Sequence, residues 1–458
     1  MPPSNIGIKV PLTNGHCTTS VEKESCPKFL IIGAGARGHA YAHAVTESTT
    51  GIIAAVAEPI STKREAIGRK YIWQNNEPQK HQNFQGWQDF VEYEHQRRQS
   101  QEAGEVVPPG IDGVFICVLD EFHVEVILGL QELNLHIMCE KPLATSLDDC
   151  LRIYRSLQPP GTSPKRIFSI GHVLRYSPHN MLLRQLLLSD CAIGDIISIE
   201  HTEPIGWWHF SHSYVRGNWR QERTTAPSLL TKSCHDIDFL LWLLCSPPPN
   251  SSPHTPPHLP SHISSTGSLN YFKRANKPAQ AGSATNCLSC PAERDCLYSA
   301  PKIYLEQHLA KGNTGWPVHI VVPEIEDLPP TAAETRLRDR LAEDYDGSTP
   351  AETVSKRPWF GRCVYESDND VCDDQLVTIT WDDDPLPSAT PRSAKTASFH
   401  MTAFTEAQCV RRGRVYGTRG EISYDSQVIE VYTFASRTKK TYYPKQMGGG
   451  HGGGDAGL

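Results

Sequence analysis

Between Lys28 and about Ser169, short apolar runs alternate with amphipathic stretches. The runs are KFLII (28–32), IIAAVAE (52–58), GVFICV (113–118), HIMCE (136–140) and IFSI (167–170). They carry few polar breaks, as strands covered on both faces do. Helical periodicity fills the gaps at roughly 37–47, 62–71, 86–100, 122–133 and 146–157. Strict strand–helix alternation predicts a doubly wound α/β unit with a parallel sheet over residues 28–170.

Beyond residue 170 the pattern lengthens and alternates. DIISIEHTEPIG (195–206), QLVTITW (375–381), ASFHMTAF (397–404) and GEISYDSQVIEVYTF (420–434) switch between apolar and polar positions. That predicts a second, α+β domain over 171–445, built on a large, mainly antiparallel open sheet. One helix is expected at 227–245. Its apolar stripe is Leu230, Cys234, Ile237, Leu241 and Leu244, with Lys232, His235, Asp236 and Phe239 on another face. Two inserts interrupt this domain. The Pro-, Ser- and His-rich stretch 246–262 spaces His254, His258 and His262 four apart, but its prolines exclude a helix, so a solvated loop is expected. The charged stretch 325–356 reads as a mobile insert with one short helix. Residues 1–27 read as a disordered leader and 446–458 as a glycine-rich tail.

With 458 residues, two cores are expected. A net charge of −7 and the lack of a basic run argue against nucleic acid or an anionic membrane as partner. No apolar stretch is long enough to span a bilayer, and the leader lacks the apolar segment of a secretory signal. The cytoplasm is the expected compartment, and the 14 cysteines are expected to be thiols or metal ligands.

KFLIIGAGARGHAYAHAV places Gly33, Gly35 and Gly38 between a strand and a helix. In G-x-G-x-x-G the first glycine permits the turn, the second admits a pyrophosphate, and the third lets helix and strand pack closely. Ala36 and Arg37 lie within this loop, where N–H groups bind phosphate. Glu58 follows twenty residues after Gly38 and suits the adenosine ribose hydroxyls, so NAD is expected over NADP. Lys63 and Arg64 keep NADP possible.

This fingerprint, LDEFHVEVILGL (119–130), EKPLA (140–144), GHVLRYSP (171–178) and KSCHDIDFLLWLL (232–244) together resemble the Gfo/Idh/MocA oxidoreductases over nearly the whole folded chain. The resemblance implies an N-terminal Rossmann domain, a second domain whose open sheet often forms a homo-oligomer interface, and a lysine, Lys141, beside the reacting oxygen. It places Glu140 near the cofactor ribose, and Leu119, Asp120 and His123 on the nicotinamide side. Arg175 matches a position that approaches the cofactor. His235 and Asp238 match half of a D-x-x-x-H-x-x-D motif whose histidine is a general acid/base, but Thr231 stands where the first aspartate is usual. The competing reading of His235 is a capped or core histidine.

EPIGWWHFSHSYVRGNWR (203–220) is either a substrate-facing segment or a surface loop docked through its aromatics. As substrate contacts it offers Trp208, His209, Arg216 and Trp219, with Lys232 and Asp236 on the helix; such groups stack on sugar rings and bond hydroxyls. Cys287, Cys290 and Cys296, with Cys363 as a fourth ligand, suggest a structural zinc; free thiols are the alternative. The glycine-rich end GGGHGGGDAGL leads into a further helix in resembling sequences, which raises the expectation of a truncated C-terminus. The sum predicts an NAD-dependent oxidoreductase acting on a hydroxyl or keto group of a sugar, cyclitol or polyol. An NAD-dependent glycoside-cleaving enzyme and a non-catalytic dinucleotide-binding protein are the alternatives.

Overall fold

A computed structural model of the chain describes residues 26–157, 166–247, 251–252, 254–384, 391–445 and 453–457. Most of the predicted leader and tail, and part of the 246–262 stretch, lie outside these residues. The chain divides into two units, Met1–Gly171 with Asp455–Leu458, and His172–Gly454.

The first unit is a parallel six-stranded sheet in the order β3–β2–β1–β4–β5–β6. Its strands are β1 (Lys28–Ile32), β2 (Ile52–Ala57), β3 (Asn83–Phe84), β4 (Gly113–Ile116), β5 (His136–Cys139) and β6 (Phe168–Ile170). The helices are α1 (Ala36–Ser48), α2 (Ser61–Ile67), α3 (Trp87–Glu102), α4 (His123–Gly129) and α5 (Leu147–Leu157). Successive strand side chains point to opposite faces. Leu30 and Ile32 therefore join Phe90, Val126, Ile127 and Ile153 on one side. Ile31 joins Ala42, Val45, Ile67 and Trp73 on the other. Two covered faces explain why the runs were apolar throughout. Only β3, two residues long, is too short to leave a pattern.

The second unit is an eight-stranded sheet in the order β14–β13–β12–β11–β7–β10–β9–β8, antiparallel except for the β7–β10 pair. These strands are β7 (Ile196–Pro204), β8 (His262–Ser268), β9 (Asp374–Trp381), β10 (Lys395–Thr402), β11 (Arg412–Gly417), β12 (Gly420–Tyr424), β13 (Ile429–Thr433) and β14 (Thr438–Tyr442). The run expected as one strand at 420–434 is a hairpin, because the Asp425 carboxylate accepts from the amides of Gln427 and Val428, both at 2.7 Å. The sequence pattern missed β11, which buries only Val415, and the two outer strands: every residue of β8 is exposed, and β14 is largely so.

The helix expected at 227–245 is two pieces, Ser228–Thr231 and α6 (Cys234–Leu244), separated at Lys232–Ser233. The expected buried stripe also needs correction. His235, Asp236, Phe239, Leu240, Leu243 and Leu244 are buried, while Cys234, Ile237 and Leu241 are only partly so. Phe239 and Leu240 pack with Ile199, Phe399 and Met401 of the sheet, which carries the polar pair His235–Asp236 inward.

The insert 325–356 is folded against the unit, contrary to the mobile segment expected. Its helix α7 (Pro330–Ala342) buries Ala333, Leu337 and Leu341, at i, i+4 and i+8, against Ile303, Tyr304, Val318, Val321 and Phe360. The charged residues that suggested mobility occupy the solvated face. His254, His258 and His262 do not converge. His258 is buried, with Nε2 2.8 Å from the Asp382 carbonyl, whereas His254 is exposed and His262 opens β8.

Truncating a fully buried leucine leaves a cavity that costs about 2–5 kcal/mol. Leu337→Ala is therefore expected to lower unfolding free energy by that amount in urea titrations. A loss below about 0.5 kcal/mol, the scale of a surface change, would show the insert to be loosely attached.

Candidate functional site

The glycine loop of the first unit has the geometry a dinucleotide needs. Gly33 has φ +96°, and a Cβ there would lie 2.5 Å from the Cys117 carbonyl oxygen. A Cβ on Gly38 would lie 2.2 Å from the Gly33 carbonyl oxygen. Gly35 is different: a Cβ would meet no atom of the described residues within 4 Å. Gly35 caps α1 without a side chain, and α1 has no acidic residue in its first turn. The helix start is thus left to an anion, as a pyrophosphate requires.

Glu58 is buried at the end of β2. Its carboxylate accepts from the Ala34 amide at 2.9 Å and the Ile60 amide at 3.0 Å, which ties the glycine loop to the second strand. Arg64 donates to the Glu58 carbonyl and, at 2.7 Å, to Asn83 Oδ1. Ala36 is exposed at the start of α1. Lys63 is partly exposed beside Arg64, so the ribose end has cations as well as a carboxylate.

Glu140 follows β5 and is buried. It accepts from Tyr41 Oη at 2.6 Å, from Arg37 Nε at 2.7 Å and from the Lys141 amide at 3.1 Å. Burial alone would raise this carboxyl, but Arg37, Lys141 and the Tyr41 hydroxyl outweigh it and hold it below the ordinary range. Lys141 then stands at the carboxyl end of β5, an interior parallel strand, and Pro142, lacking an N–H, ends the ladder. His123 is fully buried, with Nδ1 2.8 Å from the Pro142 carbonyl oxygen. It braces the turn after Lys141 through this contact. Leu119 is 47% exposed and Asp120 is buried, in the turn leading into α4.

In the second unit, His235 is buried on α6, its ring centroid 6.0 Å from that of His172. His172 Nδ1 is 3.8 Å from Asp238 Oδ2. Arg175 grips Asp238 with both arms, Nε at 2.7 Å and Nη2 at 2.5 Å. Arg175, expected to reach toward the cofactor, thus has its guanidinium engaged by Asp238.

A second network lies behind α6. Asp236 accepts from His201 Nε2 at 2.9 Å and Arg411 Nε at 2.6 Å, and His201 Nδ1 is 2.8 Å from Tyr424 Oη. Glu203, two residues after His201 on the inner face of β7, lies 3.2 Å from Arg411 Nε and 3.4 Å from Lys232 Nζ. Two carboxylates thus face two cations. Burial would raise the Asp236 carboxyl, but Arg411 and His201 prevail and bring it down to about 2. Asp236 is fully buried, which corrects its expected substrate role: its oxygens are spent inside the fold. Burial would likewise lower the Lys232 ammonium, but Cys409 and Glu203 keep it above its ordinary value.

The aromatic segment splits in the same way. Trp208 and His209 are partly exposed, their rings 5.0 and 4.8 Å from Trp316, with His308 4.8 Å from Trp208. Burial holds His209 well below its ordinary value, with Lys232 adding to the shift, so its ring is neutral. Its Nδ1 lies 3.5 Å from Cys409 Sγ, which accepts from Lys232 Nζ at 3.0 Å. Trp219 instead stacks on Tyr214 and packs on the main core. Arg216 is 1% exposed, donating to the carbonyls of Arg362 at 2.6 Å and Tyr298 at 2.7 Å, and so does not face a substrate.

The zinc expectation is not met. Among the described residues no group of three or more His, Cys, Asp or Glu side chains is placed to hold a metal ion. Cys287 is buried against α7 and takes a contact from Arg216 Nη2 at 3.4 Å; Cys290, Cys296 and Cys363 are free thiols. Burial raises the thiols of Cys296 and Cys363 above their ordinary value. No helix among the described residues is long and apolar enough to cross a membrane.

Comparison with known proteins agrees with the nucleotide-binding fold of the first unit. A family model described as an oxidoreductase family with an NAD-binding Rossmann fold, Gfo/Idh/MocA, matches residues 27–162. The putative oxidoreductase YteT of Bacillus subtilis (strain 168) is 23% identical over 75% of this chain and 70% of its own. Inositol 2-dehydrogenase of Corynebacterium glutamicum (strain R) is 26% identical over 46% of this chain and 52% of its own. The chain thus spans about half the length of that relative. Levoglucosan dehydrogenase, solved with NADH and levoglucosan, shares the fold with a TM-score of 0.54 at 15% identity, over 94% of this chain and 87% of that one.

Removing one partner of a buried ion pair costs about 3–5 kcal/mol. Asp236→Asn should lower stability at pH 7 by that order in chemical denaturation. The carboxyl is depressed on folding, so its contribution is full above its unfolded value near 4 and fades as pH falls to about 2. The variant should therefore lose stability less steeply than the parent over that acid window. Parallel curves would remove Asp236 from the acid limb.

Proposed function

We propose that the chain is an NAD(P)-dependent oxidoreductase of the Gfo/Idh/MocA type that oxidises or reduces a hydroxyl or keto group of a sugar, cyclitol or related polyol, with NAD preferred. The observation that carries this reading is Lys141. Its strand end is shaped by Glu140, His123 and Pro142 at the carboxyl edge of the parallel sheet whose first turn holds the glycine fingerprint. That is where open α/β sheets take their ligands.

Gly33, Gly35, Ala36, Arg37 and Gly38 would hold the pyrophosphate, and Glu58 the adenosine ribose. The exposed Leu119 beside Asp120 offers an apolar contact at the loop before α4. The bound nicotinamide supplies or accepts the hydride. Lys141 orders the reacting hydroxyl and stabilises negative charge on its oxygen. His235 takes or returns the hydroxyl proton, a role imidazole suits near neutral pH. Trp208 and His209, with Trp316, provide rings against which a sugar face can stack, and Lys232 provides a cation beside them. The relatives named as inositol 2-dehydrogenase and levoglucosan dehydrogenase support this substrate class. We place the protein in the cytoplasm, as a homo-oligomer.

A screen of inositols, sugars and polyols followed by NADH absorbance is expected to yield a substrate among them; activity confined to simple monohydric alcohols would refute the substrate class. Lys141→Ala and His235→Ala should each lower turnover by at least about a hundredfold, the scale of losing an acid/base or electrostatic group, with smaller changes in cofactor affinity. Near-normal turnover of His235→Ala across the pH range would remove it from proton transfer. Calorimetry should find NAD tighter than NADP, because Glu58 repels a 2′-phosphate; the reverse order would assign that end of the cradle to Lys63 or Arg64.

A further inference from the structure

Asp455, in the terminal GGGD, groups with the nucleotide-binding unit. Its two oxygens take both arms of Arg37, Nη1 at 3.1 Å and Nη2 at 2.8 Å. Arg37 is the second residue of α1 and belongs to the glycine fingerprint. Its Nε is held by Glu140 at 2.7 Å, and its guanidinium lies 4.6 Å from the centroid of the Tyr41 ring. Tyr41 in turn donates to the same Glu140 oxygen. The Asp455 and Glu140 side chains are 9% and 7% exposed.

We propose that Asp455 is a positioning residue for the cofactor site: by locking Arg37 against Glu140 it fixes the phosphate-binding start of α1 relative to the strand end that carries Lys141. The second half of this rests on the role given to Lys141 above. A guanidinium is planar, so two carboxylates gripping three of its donors set its orientation as well as its place. Arg37 fixes the start of α1, because it is part of its first turn. Glu140 fixes Lys141, because its carboxylate takes the Lys141 amide at 3.1 Å. Without Asp455 both Nη groups lose these acceptors. The arginine can then turn outward, and Glu140 loses the cation that opposes the cost of its burial.

A competitor for the phosphate would do the opposite, by filling the approach to the glycine loop. Asp455 does not fill it, since a Cβ on Gly35 would meet no atom of the described residues, Asp455 included, within 4 Å. The side chain is also nearly closed to solvent, as suits a brace.

Calorimetry of NAD and of ADP-ribose with the full chain tests this without turnover. Asp455→Ala should weaken both ligands by about tenfold, the scale of one hydrogen bond between charged groups. Asp455→Glu should restore affinity to within about threefold, as the retained charge allows. The Michaelis constant for NAD should rise more than turnover at saturating NAD falls. Should the alanine variant fail to fold, the isosteric Asp455→Asn serves, with weaker binding of both ligands expected. Unchanged affinity in the folded variant overturns the proposal. Tighter binding also overturns it and makes Asp455 a competitor of the phosphates. If Lys141→Ala abolishes turnover while Asp455→Ala binds NAD normally, this inference fails and the proposed function stands. Weakened binding in Asp455→Ala with full turnover in Lys141→Ala gives the converse.

Discussion

A single buried carboxylate, that of Glu140, organises the ligand-facing edge of the first unit. Burying a carboxylate costs several kcal/mol unless donors surround it. Here Tyr41, Arg37 and the Lys141 amide supply them. The three donors come from the helix after the glycine turn and from the residue that follows the carboxylate itself. Meeting the demands of one charge therefore sets the spacing between phosphate loop and lysine. A neutral residue at 140 would pack at lower cost and fix much less. The charge is a device for geometry more than for stability.

The second unit repeats this logic around Asp236. That carboxylate binds His201 and Arg411, while Glu203 balances Arg411 and Lys232. The network lies beneath the face of α6 that carries His235. It sets the rotation of the helix about its own axis. Rotating α6 to bury the more apolar stripe would expose His235 and leave the polar inner face of β7 without partners. Electrostatic satisfaction thus prevails over the hydrophobic pattern at this helix.

That conflict also marks the limits of what the chain made legible. The parallel sheet, its helices and the glycine turn follow from local pattern, since each strand is apolar on both faces and each glycine answers a local steric need. The face of α6 did not follow, because its partner polar groups lie on β7 and at Arg411, far away in sequence. His201 and Glu203 left a weak signal, polar residues at alternate inward positions of a strand whose other inward residue is Ile199. Arg411, Cys409, His308 and Trp316 left none. The charged insert misled for a plain reason: Ala333, Leu337 and Leu341 make one narrow stripe among many charges. The cysteine spacing suggested convergence, but spacing constrains direction only on a regular element, and Cys287 turns into a core instead.

The departure at Thr231 bears on how a proton could leave His235. Where relatives of this type often carry an aspartate, this chain buries a threonine whose hydroxyl donates to the Pro227 carbonyl at 3.3 Å. A hydroxyl so engaged does not ionise and cannot accept a proton as a carboxylate does. Asp236, adjacent in sequence, is held ionised by Arg411 and His201 and is closed to solvent. Asp238 remains: His172 Nδ1 lies 3.8 Å from it, and the His172 ring meets the His235 ring edge-on at 6.0 Å. Arg175 holds Asp238 in place, with Nε at 2.7 Å and Nη2 at 2.5 Å. A carboxylate beside an imidazole can orient the ring and stabilise its protonated form. On the role proposed for His235, the part of the missing aspartate falls to His172 and to Asp238, the motif's second aspartate, seven residues after Thr231.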